Sequence, residues 1–241
     1  NGNISLLKQL YDEHQAEIDI TNFGAEAFMW ACWYGHLHII KQLYEWIPDI
    51  NISANNEEAF RWACHNGHLE VAQWLLEVKP NIDISAENEY AFRWACENGH
   101  LEVAKWLLEV KPNINISANN EYAFRWACEA GHLEVAKWLL TVKPNINISA
   151  DNEYAFRCAC GNGHLEVSQW LLEVKPTINI SACGEEAFRM ACEEGHLDVI
   201  KQLYTWKPTI NISAEDEWAF TWACGRGHLD VVKQLYHWKP T

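Results

Sequence analysis

Seven times along the chain a cysteine is followed four residues later by a histidine: Cys32 and His36, Cys64 and His68, Cys96 and His100, Cys128 and His132, Cys160 and His164, Cys192 and His196, Cys224 and His228. Thiols and imidazoles are metal ligands, and a paired thiol and imidazole can serve as nucleophile and base. Arginine and tryptophan stand beside them, as in Ala-Phe-Arg-Trp-Ala-Cys-x-x-Gly-His-Leu from Ala91. The spacing decides what these residues can do. The Gly-His-Leu starts, from Gly35 to Gly227, lie 32 residues apart every time. Zinc needs three or four ligands within about 2.0–2.3 Å of one point, whereas stacked helices stand about 8–10 Å apart. One histidine per unit cannot converge on a metal. The same separation exceeds the Cα distance of about 7 Å that limits a disulfide. The cysteines therefore read as small buried apolar residues, and the histidines as turn residues bonding local backbone. Cys158 and Cys160 form Cys-x-Cys, but positions i and i+2 diverge on a helix, so no metal or redox site is expected there. Cys183, outside the column, is the best candidate for an exposed thiol. No catalytic, cofactor-binding or metal-binding residue is assigned.

A fixed period of this length marks an array whose units are stable only against their neighbours. In the unit from Ala86, Asn88 is placed to cap a helix with Glu89 in its first turn. Ala91, Phe92, Ala95 and Cys96 give that helix one apolar face. Gly99 stops it, and a second helix buries Leu101, Val103, Ala104, Leu107 and Leu108. Pro112 ends the second helix, and Asn113–Ala118 alternates polar and apolar as an extended arm does. Gly2–Tyr11 matches Gly35–Tyr44, so residues 1–21 read as a leading part-unit with a second helix only. Residues 22–241 read as seven 32-residue units, and 1–241 as a single array, cut from a longer one or burying its ends in neighbours.

The formal charge is −15 and the pI about 5.1. Nucleic acid and anionic lipid both ask for a basic face, so neither is an expected partner. No run of about 18 apolar residues could span a bilayer. Six Asn-x-Ser sequons, from Asn3 to Asn211, would matter in a secreted chain. Here they read as incidental to a turn sequence, because nine cysteines without a disulfide pattern fit a reducing, cytoplasmic location better.

The run Ala-Cys-x-x-Gly-His-Leu-Glu-Val-Ala-Lys-x-Leu-Leu resembles the Ala-Ala-x-x-Gly-His-x-x-Val-Val-x-x-Leu-Leu of ankyrin repeats. The Asn115 column resembles the asparagine ahead of that family's hairpin. The resemblance covers all seven units and implies an all-α ankyrin-repeat solenoid of paired antiparallel helices with extended hairpin-like loops. Departures are local. The family's Thr-Pro-Leu-His is replaced by Glu/Tyr-Ala-Phe-Arg (Tyr90–Arg93), and the glycine ending the second helix by Lys-Pro (Lys79–Pro80). The period is 32 rather than 33, which implies shorter loop tips. Hydrogen bonds made by the family's Thr and His must be replaced, in part by Glu–Arg pairs at i and i+4 such as Glu89 and Arg93. Those arginines otherwise read as solvated supports. This dialect is similar to arrays of large DNA viruses and some protists, for which the cytoplasm would be a host cell's.

Two tryptophan columns remain. In the second helices, Trp74, Trp106, Trp138 and Trp170 give way to Gln42, Gln202 and Gln234 in three units. Those units carry Trp46, Trp206 and Trp238 four residues later, on the same helix face, so each unit keeps one packed ring there. In the first helices, Trp30, Trp62, Trp94, Trp126 and Trp222 either face a partner or fill between units, with Cys158 and Met190 interrupting the column. By resemblance, the most variable positions should line a concave, partner-binding side: Trp33, Tyr34, Glu58, His65, Asn66, Tyr90, Glu97, Asn98, Tyr122, Glu129, Tyr154, Glu186, Glu194, Trp218 and Arg226. Aromatics are favoured at interface hot spots. The expected function is a non-enzymatic scaffold, monomeric unless its ends associate, for a neutral or basic protein partner. The alternatives are a spacer between domains outside this chain, or a small-ligand pocket near Cys158 and Met190.

Overall fold

A computed structural model of the chain describes residues 20–47 and 49–239. The expected helix within Gly2–Tyr11 lies outside the described residues. The described helices alternate in type. The first helices are α1 (Ile20–Trp33), α3 (Ala54–His65), α5 (Ala86–Glu97), α7 (Ala118–Glu129), α9 (Ala150–Gly161), α11 (Ala182–Glu194) and α13 (Ala214–Gly225). Each is followed by a second helix: α2 (Leu37–Trp46), α4 (Leu69–Val78), α6 (Leu101–Val110), α8 (Leu133–Val142), α10 (Leu165–Val174), α12 (Leu197–Trp206) and α14 (Leu229–Trp238). No strand occurs among the described residues. Two compact units result, Asn1–Asn115 and Ile116–Thr241. In the first, α1, α3 and α5 pack side by side; in the second, α7, α9, α11 and α13 do so.

The core follows the repeat columns. Phe92, Ala95 and Cys96 of α5 and Val103, Ala104 and Leu107 of α6 are all buried. Each is a position predicted from helical spacing. In the loop Lys79–Ser85, Ile82 and Ile84 point inward while Asn81 and Asp83 stay exposed. The Asp83 carboxylate accepts the Ser85 N–H at 3.0 Å, and Asn51, Asn147, Asn179 and Asn211 do the same two residues ahead of their serines. The sequon asparagines Asn51, Asn147, Asn179 and Asn211 are thus turn-forming acceptors.

The tryptophan exchange in the second helices is visible as geometry. Trp170 lies 6.3 Å from Phe124 at 49°, and Trp206 lies 6.3 Å from Phe156 at 50°. Positions four residues apart in register deliver the indole to one place.

Three expectations are corrected. First, Asn88 does not cap a right-handed helix. Glu87 (φ 53°, ψ 44°), Asn88 (φ 62°, ψ 53°) and Glu89 (φ 64°, ψ 33°) form a left-handed turn, repeated at the start of α3, α7, α9, α11 and α13. A left-handed L-residue costs roughly 1–2 kcal/mol, so the turn needs support. Arg93 supplies some, its Nε donating to the Asn88 carbonyl at 2.8 Å and its Nη2 to that of Glu87 at 3.1 Å. Buried Glu89 supplies more, accepting from the Ser85 hydroxyl at 2.7 Å and from the Asn115 N–H at 3.2 Å. The ammonium of Lys111, the residue standing where the family has glycine, donates to Ser85 Oγ and ties the end of α6 to the start of α5.

Second, the i,i+4 glutamates and arginines do not pair in the way expected. Arg61, Arg125, Arg157 and Arg189 donate to backbone carbonyls of their own left-handed turns, while Glu57, Glu121, Glu153 and Glu185 accept from serine hydroxyls. Arg93, Arg125 and Arg157 are buried rather than solvated. Third, His68 and His164 bond to the preceding hairpin rather than to local backbone. His68 Nε2 lies 2.9 Å from the Trp33 carbonyl oxygen of the preceding hairpin. Exposure of Cys224 is a smaller departure from its column. Phe220 beside it is also exposed, whereas Phe188 is covered by Trp238 of the following hairpin.

Candidate partner-binding face

The predicted site residues sit at the C-terminal ends and outer faces of the first helices. In the unit Asn1–Asn115 they meet in one run of rings. Tyr34 stacks on Trp30 at 6.1 Å, Trp30 reaches Trp62 at 5.9 Å, and Trp33 meets Trp62 edge-on at 4.8 Å. His65 lies between two indoles, stacked on Trp33 at 5.2 Å and on Trp94 at 4.8 Å. Tyr90 closes the run on Trp94 at 5.2 Å. Trp30 is 46% exposed and Tyr34 60%, while Trp33, Trp62, His65, Tyr90 and Trp94 are half-buried. The first-helix tryptophans therefore do both things the sequence left open. They fill between hairpins and present an edge to solvent.

His65 is the tightest member. Its Nδ1 is buried without a hydrogen-bond partner, and burial followed by the nearby His100 holds its pKa below the usual histidine value. Asn66 and Asn98 turn inward, each donating to the carbonyl of the tryptophan four residues earlier at 3.0 Å. These bonds finish their helices. Half-buried Glu97 lies close enough to Tyr90 to raise its pKa, behind the larger effect of burial.

A rule governs the column that holds Glu58, Tyr90, Tyr122, Tyr154, Glu186 and Trp218. Within each compact unit, Arg61, Arg125, Arg157 and Arg189 reach the column residue of the next hairpin, 29 residues on. Arg61 lies 4.7 Å above the Tyr90 ring, Arg125 4.8 Å above Tyr154, and Arg189 5.2 Å from Trp218. Where the column carries a carboxylate, Arg157 pairs with Glu186 instead. The sequence contained this signal, since arginine and its partner recur at constant separation, but only contact between hairpins gives it meaning.

In the unit Ile116–Thr241 the rings are fewer. Tyr122 stacks on Trp126 at 5.2 Å, Trp126 meets Tyr154 at 5.9 Å, and Trp218 meets Trp222 at 5.3 Å. Between these lies a polar knot. The Tyr154 hydroxyl donates to Glu129 at 2.6 Å, and Arg125 and Arg157 both approach its ring. Burial, then that hydrogen bond, pushes the Tyr154 phenol well above its usual value. Cys158 is buried, and burial, then the Glu129 charge, pushes its thiol up to about 11. A cysteine so protonated is a poor nucleophile at neutral pH. Met190 packs against Gly161, its Cβ and Cε each 2.9 Å from where a Cβ on that glycine would stand. Arg226 is exposed and spans Glu193 at 2.5 Å and Glu194 at 3.1 Å.

Tandem helical hairpins closed by histidine-to-carbonyl bonds define a helical repeat protein. A family model for ankyrin repeats, built as three copies, matches residues 1–88, 78–152, 124–216 and 156–240. The chain belongs to the ankyrin-repeat family, whose members are protein–protein interaction modules. None of the curated proteins compared with it matches.

Proposed function

We propose that the protein is a non-enzymatic scaffold that grips a protein partner along the first-helix face of its N-terminal unit. The ring run from Tyr34 through Trp30, Trp62 and Trp33 to His65 carries this reading, because exposed aromatic edges over a rigid stack are what interface hot spots use. The overall charge of −15 favours a neutral or basic partner. Nine free cysteines favour a reducing, cytoplasmic setting. Among the described residues no helix is long and apolar enough to cross a membrane.

Replacing Trp30 and Tyr34 together by alanine tests the reading. Partner capture from a lysate should be lost while the circular-dichroism spectrum and urea midpoint stay close to the parent's. Undiminished capture would remove this face from consideration. A spacer role draws on one observation: Tyr90 and Tyr154 are half-buried beneath arginines of the preceding hairpins, so those rings serve the stack. Under that reading the alanine pair leaves capture unchanged.

A further inference from the structure

The arginine-to-column rule has one vacancy. Glu58 occupies the column position of α3, and the residue 29 before it, where the next five hairpins carry arginine, is Met29. In the closest internal equivalent, Arg157 of α9 delivers its guanidinium to Glu186 of α11 at that same separation. Glu58 receives no such group. Its one hydrogen bond runs from Asn55 Nδ2 to Oε2 at 2.7 Å, and no ion pair reaches it among the described residues. It is half-exposed, on a helix packed directly against α1, which brings Trp30 within 5.9 Å of Trp62. Glu26, exposed in α1, heads the same column and adds a second negative charge.

We propose that this position takes an arginine side chain from the protein partner, whose guanidinium completes the ladder that Met29 leaves incomplete. The inference rests on the first-helix face being the binding face, and it names the chemistry that face selects. Arginine rather than lysine is indicated by the chain itself. Every in-chain occupant of the equivalent position in contact with a neighbouring column is an arginine, on Tyr90, Tyr154, Glu186 or Trp218. A planar guanidinium lies flat on rings and bonds a carboxylate through two N–H groups, which an ammonium cannot do. The acidic chain supplies long-range attraction for such a segment.

The test uses the full chain, labelled at the tryptophan indoles, and the peptide acetyl-Gly-Arg-Gly-amide. The indole N–H signals of Trp30 and Trp62 should shift saturably at millimolar peptide. The same peptide with citrulline in place of arginine should shift them at least ten-fold less effectively. Glu58→Gln, checked for folding by circular dichroism, should weaken binding at least ten-fold. Met29→Arg should abolish the response by filling the position from within. Equal binding of the citrulline peptide, or unchanged binding by E58Q, would overturn the proposal; a lysine peptide that outcompetes arginine would do so too. The underlying face is judged separately. Loss of capture by the Trp30 and Tyr34 variant, with the peptide result negative, keeps the face and discards the arginine. Retained capture by that variant discards the face, while the peptide titration still reports on Glu58 directly.

Discussion

The imidazole of His164 occupies the space that a Cβ on Gly131 would need. Such a carbon would stand 2.6 Å from Nδ1, and Gly131 itself is left-handed at φ 81°. The relation recurs between Gly35 and His68, Gly67 and His100, Gly163 and His196, and Gly195 and His228. Glycine is needed twice over, for its backbone and for its neighbour's ring. Gly131→Ala should therefore cost more than the roughly 1–2 kcal/mol of a left-handed alanine alone. Gly227→Ala, at φ 81° with nothing within 4 Å, should cost only that backbone amount. Urea unfolding of the two variants checks the difference.

Mild acid should loosen the array. Burial, and after it a neighbouring histidine, lowers the pKa of His65 and His132; burial lowers that of His164 too, opposed by the hydrogen bond to the Glu129 backbone. Below the unfolded value of about 6.5, the unfolded chain binds protons at these rings that the folded chain does not. Stability is thus complete above about pH 6.5 and declines as pH falls through it. The urea midpoint should be lower at pH 5.5 than at pH 7.5, and the decline should be smaller in the His65→Gln, His132→Gln double variant. A midpoint flat over this range would contradict the assignment.

Arg125 should be irreplaceable by lysine. Its guanidinium bonds the Asn120 carbonyl at 2.7 Å, the Asn119 carbonyl at 3.2 Å and the Asp151 carboxylate at 3.1 Å, and lies over the Tyr154 ring. Removing a buried charge that holds a strained turn should cost about 3 kcal/mol in Arg125→Ala. Arg125→Lys should recover less than half, since one ammonium cannot satisfy two carbonyls, a carboxylate and a ring face together. Chemical denaturation of both variants decides.

The tryptophan exchange should be portable. Trp170→Gln alone removes the ring packed on Phe124 and should cost about 3 kcal/mol, in the range of large-to-small core changes. Adding Val174→Trp, which copies the arrangement of Gln202 and Trp206, should restore most of it. A double variant no more stable than the single one would show that the two registers are not equivalent.

Native thiol labelling should stop at two. Cys183 and Cys224 are exposed, while the other seven cysteines are buried, with Cys158 pushed up to about 11 and Cys160 up to about 12 by burial first. Ellman's reagent should titrate the two quickly and the rest only in denaturant. Rapid release from Cys158 would mean that the Gly161 and Met190 contact opens.

The helix pairs were legible in the sequence because burial obeys helical spacing, and Phe92, Cys96, Val103 and Leu107 recur at it. The left-handed turn at Glu87–Glu89 was not, since asparagine and glutamate before an apolar run also spell an ordinary helix start. Only a buried Arg93 donating into that turn and Lys111 donating to Ser85 ahead of it distinguish the two, and both act through folded contacts. His68 looked local for the same reason: its partner carbonyl belongs to Trp33, 35 residues away. Of the candidate site, Trp33, Tyr34, His65 and Tyr90 do lie in one run. Asn66 and Asn98 each give an amide N–H to a helix end, a local bond that spacing did not reveal.

Trp170 and Trp206 carry a consequence for reading such chains by alignment. Stacked column by column, the units appear to lose tryptophan for glutamine and gain it for valine, two unrelated changes. In space nothing has been lost, since the same volume beside a phenylalanine holds the same indole. Sequence variation at these positions measures which residue the backbone happens to reach from, and a tally of variable columns would mistake the most constant contact between hairpins for one of the least.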